Sequence, residues 1–199
     1  YETDRPNKLN LWAGFNAVYT ASVLDASVEK FVYHVNLITR GHADDTAYLL
    51  DWLADLVQNP LRSGTRTAIS IKGRKRAGKS VFSRCIGSFF SPVNHALFTR
   101  ADRVVGKFNA HLASIVFAEL AELTFDSGQV QTSKDTLKSL ITDETMSVEV
   151  KGGDTQTVVN KLHFILTSNH NISVLQDSDD VRWTQFEISN MHRDDPKFW

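Results

Sequence analysis

A single cysteine, Cys85, stands in a chain of 199 residues, so no disulfide can form within the chain, and this usage fits a reducing cytosol. Cys85 falls in a stretch that reads as helix, where a lone thiol is expected in the core and not as a ligand or nucleophile. An excess of charge of one sign is lacking too. Lysine and arginine number 22 against 23 acidic residues, a formal net charge of -1, so nothing draws the whole surface to a polyanion and any nucleic-acid contact has to be a local patch. No apolar run approaches the ~20 residues of a membrane-spanning helix, and no signal peptide opens the sequence, so no membrane partner is expected. Internal repeats and low-complexity stretches are absent, which leaves one core to explain. The first residue is Tyr1 instead of Met, as expected of a piece trimmed from a longer protein.

What is present is an ordinary globular composition, 42% hydrophobic, enough for one sizeable core with a small appendage. Its centre is Gly73-Arg-Lys-Arg-Ala-Gly-Lys79-Ser80, which satisfies the phosphate-binding pattern G-x-x-x-x-G-K-[ST] at every fixed position. Residues 67–72 before it read as a strand and 80–87 after it as a helix, the context the pattern requires. Gly73 and Gly78 let the backbone curl so that amides point into one concavity, joined by the positive end of the helix dipole. The expected nucleotide contacts are Gly73, Arg74, Lys75, Arg76, Ala77, Gly78, Lys79, Ser80 and Val81. Lys79 would reach the β- and γ-phosphates of ATP, and Ser80 would bind Mg²⁺. Arg74, Lys75 and Arg76 read equally well as a solvated charge run.

Along the chain, residues 1–25 suggest an irregular arm packed by Leu9, Leu11, Trp12 and Phe15. Helical spacing follows at Val28, Phe31, Val32, Val35 and Ile38, with Gly41 as a stop, and a second helix over 44–57 ends before Pro60. His34 and His42 are expected on the solvated faces of this helical segment, assigned as 1–63 ahead of a core at 64–199. Within the core, 96–98 reads as a strand and 101–105 and 107–112 as short helical pieces. The run 114–118 reads as a strand buried on both faces, closed by Glu119. Glu119 and Glu122 are either acids at the edge where a phosphate-loop enzyme holds Mg²⁺ or acids that open a helix. A helix over 133–141, a hairpin over 146–159 turning at 152–154, a buried strand at 162–166 ending near Asn169, and a last strand at 183–188 complete the reading.

The order of phosphate loop, buried strand with Glu119, helix and hairpin with Lys151, buried strand with Asn169, then Arg182, resembles the superfamily 3 helicases of viruses, phages and plasmids, in the AAA+ class. Residues 49–58, 105–112 and 140–143 are similar to the helicase part of phage and prophage primase-helicase proteins, and the likeness extends over about residues 10–189. The resemblance implies an α/β phosphate-loop core with a mostly parallel sheet flanked by helices, a β-hairpin insertion and a small N-terminal helical segment. It also implies a homo-oligomer, a hexameric ring, acting on single-stranded DNA in the cytoplasm of a bacterial host, with a primase domain possible in the same polypeptide. Asn169 matches the residue that senses the γ-phosphate. Lys151, Gly152 and Gly153 match the hairpin that grips single-stranded DNA, although a lysine at a hairpin tip is by itself only a solvated charge. Arg182 matches an arginine finger reaching a neighbour's nucleotide.

Relatives commonly read Phe-Ala-Asp-Glu-Ala where this chain reads Phe117-Ala-Glu-Leu-Ala121. Glu119 then stands for the Mg²⁺ aspartate, Leu120 replaces the water-activating glutamate, and Glu122 ranks behind Glu119 if a helix begins near Leu120. Two functions follow: an ATP-driven translocase on single-stranded DNA, or a nucleotide-gated assembly or loading module without efficient hydrolysis.

Overall fold

The structure, a computed structural model, describes residues 11–18, 25–64, 67–124, 128, 130–169 and 180–199. Leu9 of the expected aromatic arm lies outside the described residues. Trp12 and Phe15 do pack, with ring centroids 5.2 Å apart, and Phe15 meets Phe90 at 5.4 Å.

Helices α1 (Asp25–Thr39) and α2 (Ala43–Gln58) follow the apolar spacing of the sequence. Gly41 turns the chain between them at φ 75°, a conformation glycine adopts without steric cost. Asp44 and Asp45 lie in the first turn of α2, where the helix dipole favours negative charge. Val35 and Ile38 of α1 and Leu49, Trp52, Leu53 and Leu56 of α2 enter one cluster with residues of the central sheet, so the helical segment shares its core with the rest of the protein.

That sheet has five strands in the order β2-β3-β6-β1-β7: β1 (Ala68–Lys72), β2 (His95–Arg100), β3 (Phe117–Thr124), β6 (His163–Ser168) and β7 (Trp183–Glu187). Every pairing in it is parallel. One face carries α1, α2 and α3 (Lys79–Gly87), with Phe82 and Ile86 packed beside Phe117 and Ile165; the other carries α5 (Val130–Thr142), with Leu137, Leu140 and Ile141 packed beside Leu120 and Phe164. Coverage on both faces explains why β1 and β6 read as continuous apolar runs. A short α4 (Asp102–Val105) and a 3-10 turn (Ala110–Ser114) connect β2 to β3. A separate antiparallel ribbon pairs β4 (Thr145–Val148) with β5 (Gln156–Val159). Met146 and Val148 anchor it in the second cluster.

Four expectations are corrected. The strand read at 114–118 begins only at Phe117 and runs on through Glu119 to Thr124, because β3 must extend as far as its neighbour β6 to complete the ladder. No helix opens near Leu120, which instead pairs with Leu166 inside the sheet. Cys85 is exposed: the buried face of α3 is made by Phe82, Ser83, Ile86 and Gly87, and Cys85 falls outside that stripe. Of residues 107–112, expected as a helical piece, only 110–112 are helical, within a 3-10 turn that runs from Ala110 to Ser114.

Candidate nucleotide-binding site

The strand-to-helix turn after β1 is held by backbone geometry that two glycines permit. Gly78 has φ 93°, and a Cβ there would overlap the ring of Trp199; a Cβ on Gly73, at φ 156°, would overlap a methyl of Ile188. The Gly73 amide donates to the Ser168 carbonyl at 3.1 Å, tying the start of the loop to the end of β6. Beyond Gly78, α3 begins with Lys79, and the amides of Val81 and Phe82 both donate to the Gly78 carbonyl at 3.1 Å; the start of a helix is a favourable place for phosphate oxygens.

Lys79 is 6% exposed. Its Nζ donates to the carbonyls of Gly73 at 2.7 Å and Arg74 at 2.9 Å and to Asn169 Oδ1 at 2.9 Å. Burial lowers the pKa of this ammonium, and the charge of Glu122 acts in the opposite sense. The loop's remaining basic residues, Arg74, Lys75 and Arg76, are exposed, and Arg76 pairs with Asp194 at 3.1 Å. Ala77 is buried, whereas Ser80 and Val81 are accessible in the first turn of α3.

Sheet register decides which acid joins this group. Lys72 is level with Ser168, and Thr167 is level with Ala121, so Glu122 stands at the carboxyl edge beside the phosphate loop. In open α/β sheets ligands bind outside that edge. Glu122 takes φ 48°, within a stretch where the pairing of β3 with β2 shifts register between Phe98 and Arg100. This irregularity lies in the half of β3 that follows its four buried residues, where the Glu122 carboxylate is exposed.

Glu119 is the corrected assignment. It pairs with Ile165, which in turn pairs with Ile69, three residues back along the strand, roughly 10 Å from the edge. It is 3% exposed and its Oε1 is hydrogen-bonded to His95 Nε2 at 2.7 Å. The expected metal and water-facing acid is thus a buried partner of His95, packed beside Gly87, where a Cβ would crowd both groups. Ser80 and Glu122, both exposed, carry oxygen atoms of the hard kind that could hold Mg²⁺. Among the described residues no group of three or more His, Cys, Asp or Glu converges on a metal position.

His34 contradicts its expected solvated position. Burial pushes its pKa down to about 4 against the opposing influence of the Gly78 backbone. It lies edge-on to Phe82 at 5.4 Å and 4.6 Å from the ring of Trp199. The signal was in the spacing, since His34 falls three residues after Phe31 and four before Ile38 on the inward stripe of α1. No motif announces the segment 190–199, which returns to the phosphate loop through Asp194 and Trp199.

Arg182 and the hairpin residues are not gathered here. The Arg182 carbonyl accepts from the Ala68 amide at 2.8 Å, placing Arg182 at the amino edge of the sheet, about 16 Å of strand from Gly73. Its Nη1 donates to Asp180 Oδ1 at 3.2 Å, and that carboxylate, 1% exposed, also lies 3.8 Å from Lys138 Nζ. Lys151, Gly152 and Gly153 are exposed in the turn between β4 and β5, where the Gly153 amide donates to the Val150 carbonyl at 3.0 Å. Asn109 braces the ribbon, donating to the Ser147 carbonyl and accepting from the Glu149 amide, both at 3.0 Å. Among the described residues no helix is long and apolar enough to cross a membrane.

With this geometry in hand, the chain's relatives are informative. It is similar to the "DNA Primase-polymerase" of Nitratiruptor phage NrS-1, at 27% identity over 150 residues, covering 75% of this chain and 20% of that protein. The apo structure of the NrS-1 C-terminal region (305-718) superposes with a TM-score of 0.72 at 23% identity, covering 84% of this chain and 40% of that one. The A form apo structure of the same region gives a TM-score of 0.69 at 23% identity over 84% of this chain and 39% of that one. The chain therefore spans about a fifth of the phage protein's length, and the solved structures share its α/β fold. A family profile matches residues 71–182, from the phosphate loop through Asn169 to Arg182, and the chain belongs to that family, described as "Family of unknown function (DUF5906)".

Proposed function

We propose that this protein is the ATP-hydrolysing helicase module of a phage or mobile-element replication protein, moving on single-stranded DNA as a hexameric ring. The observation that carries the reading is the meeting of Lys79 with Asn169 at 2.9 Å, beside Glu122, at the carboxyl edge of a parallel sheet. Lys79 would release the Gly73 and Arg74 carbonyls to bind phosphate oxygens, a charge-assisted contact. Asn169 would orient the attacking water, and Glu122 would accept its proton. Mg²⁺ held with Ser80 and Glu122 would neutralise charge on the phosphates. Because Arg182 stands at the amino edge, it cannot serve the site of its own chain, and a finger role requires a neighbouring subunit. The similarity to a phage primase-polymerase supports both the replication context and a primase domain in the same polypeptide.

The test is ATP turnover with and without single-stranded DNA, for the parent and for Lys79→Ala. DNA-stimulated hydrolysis is expected in the parent. Nucleotide binding should fall at least about tenfold in the variant, as expected for loss of a charged phosphate contact. Unchanged ATP affinity in Lys79→Ala would leave the loop as a structural turn.

A second reading, a nucleotide-gated assembly or loading module, is favoured by one observation: the position after Glu119 is Leu120, fully buried in the sheet. The two readings part on single-turnover hydrolysis, which the gated module would lack while still binding ATP.

A further inference from the structure

Trp199 separates two hollows beside the first turn of α3. One, of about 560 Å³, lies toward α1 and is bordered by Tyr33, His34 and Phe198. The other, of about 370 Å³, is bordered by Arg76, Gly78, Val81, Asp194, Pro196 and Trp199. This second volume falls in the range of small-molecule sites, roughly 300–1,000 Å³. Arg76 and Gly78 belong to the glycine-framed loop itself, so the hollow borders that loop.

Its walls have the chemistry of a flat heteroaromatic ring. Val81 is 43% exposed on the helix directly after the loop, Pro196 adds a rigid apolar surface, and Trp199 offers the largest aromatic face. The indole is fixed in place. Its Nε1 donates to the His192 carbonyl at 2.8 Å, its ring packs against His34 at 4.6 Å and edge-on to Phe198 at 4.7 Å, and its approach to Gly78 leaves no room for a Cβ there. The segment that carries it is latched to the loop by the Arg76–Asp194 pair and by the Asp194 amide, which donates to the Arg76 carbonyl at 3.4 Å. An aromatic wall held this firmly loses little freedom when a ring stacks on it.

We propose that this hollow receives the base of the nucleoside triphosphate, stacked on Trp199 and packed against Val81 and Pro196, while the loop holds the phosphates. The assignment rests on the nucleotide-binding reading above and adds what that reading lacks, a site for the base. The larger hollow is the poorer candidate, because Trp199 stands between it and Gly78.

The experiment is calorimetric titration of the whole chain with ATP and, separately, with inorganic tripolyphosphate, for the parent, Trp199→Ala and Trp199→Phe. Stacking of one base on an aromatic side chain corresponds to roughly a tenfold change in affinity. Trp199→Ala is therefore expected to weaken ATP about tenfold and leave tripolyphosphate unchanged, and Trp199→Phe to recover most of the loss. Retained tripolyphosphate binding also reports that the variant is folded. An equal loss for both ligands would make Trp199 a prop of the loop and overturn the base site, as would no loss for either. A parent that binds tripolyphosphate as tightly as ATP overturns the base site alone. A parent that binds neither overturns the phosphate site beneath it.

Discussion

Lys79 and Asn169, separated by 90 residues in the chain, meet at 2.9 Å because β1 and β6 are neighbours in the sheet, Asn169 directly follows β6, and Lys79 opens α3 after the loop that leaves β1. The contact joins the cation that would hold a γ-phosphate to the amide that would face its water. Glu122 enters the same space from β3, the strand on the other side of β6. Three strands thus deliver three kinds of group, ammonium, amide and carboxylate, to one edge.

Glu122→Gln should abolish hydrolysis, lowering kcat by at least about a hundredfold for loss of a general base, while ATP still binds. Glu119→Gln should change kcat by no more than about twofold, because its carboxylate contacts His95 and not the reacting edge. Steady-state turnover together with ATP titration of both variants checks this. An inactive Glu119→Gln with an active Glu122→Gln would reverse the assignment.

Rings mixed from parental and Arg182→Ala subunits should lose ATPase activity faster than dilution predicts, since each altered subunit silences its neighbour. Arg182 also pairs with the buried Asp180, so Arg182→Lys serves as a control that keeps the charge and removes the planar fork. Activity that falls linearly with the parental fraction would separate Arg182 from any neighbouring site.

Lys151→Ala should weaken binding to single-stranded DNA and reduce the slope of log affinity against log salt by about 0.7 per engaged subunit, the value for one phosphate contact. ATP affinity should be unaffected, because the hairpin shares no described contact with the phosphate loop. Fluorescence anisotropy over a salt series reads both quantities, and an unaltered slope returns Lys151 to a solvated turn.

Acid stability provides a further check. Burial lowers the pKa of His163 from 6.5 to about 4, so in the folded protein the ring stays neutral where the unfolded chain already binds a proton. The sign follows: its contribution is complete above pH 6.5 and is lost as the pH falls from 6.5 toward 4, by at most roughly 3 kcal/mol. His163 is hydrogen-bonded through Nδ1 to the Lys161 carbonyl at 3.0 Å, a bond that His163→Asn can keep with its amide. Urea unfolding across this range should show a shallower acid limb in His163→Asn. An unchanged limb would assign the acid sensitivity to other groups.

The sequence by itself determined the local devices. The G-x-x-x-x-G-K-S pattern announces a tight turn between a strand and a helix, and the backbone at Gly78 is one that glycine adopts without steric cost. Alternation on either side of Gly152-Gly153 announces the ribbon of β4 and β5, and unbroken apolar runs announce strands covered on both faces. The tertiary structure alone decided how far each strand runs and what each end meets. Residues 114–118 carry the apolar signal, yet β3 continues to Thr124 because its neighbours set its length, and that shift exchanges Glu119 for Glu122 at the site. His34 and Trp199 were hidden for the same reason. Their partners on the phosphate loop lie tens of residues or more away in sequence, and periodicity reports which side of an element is buried but not what lies against it.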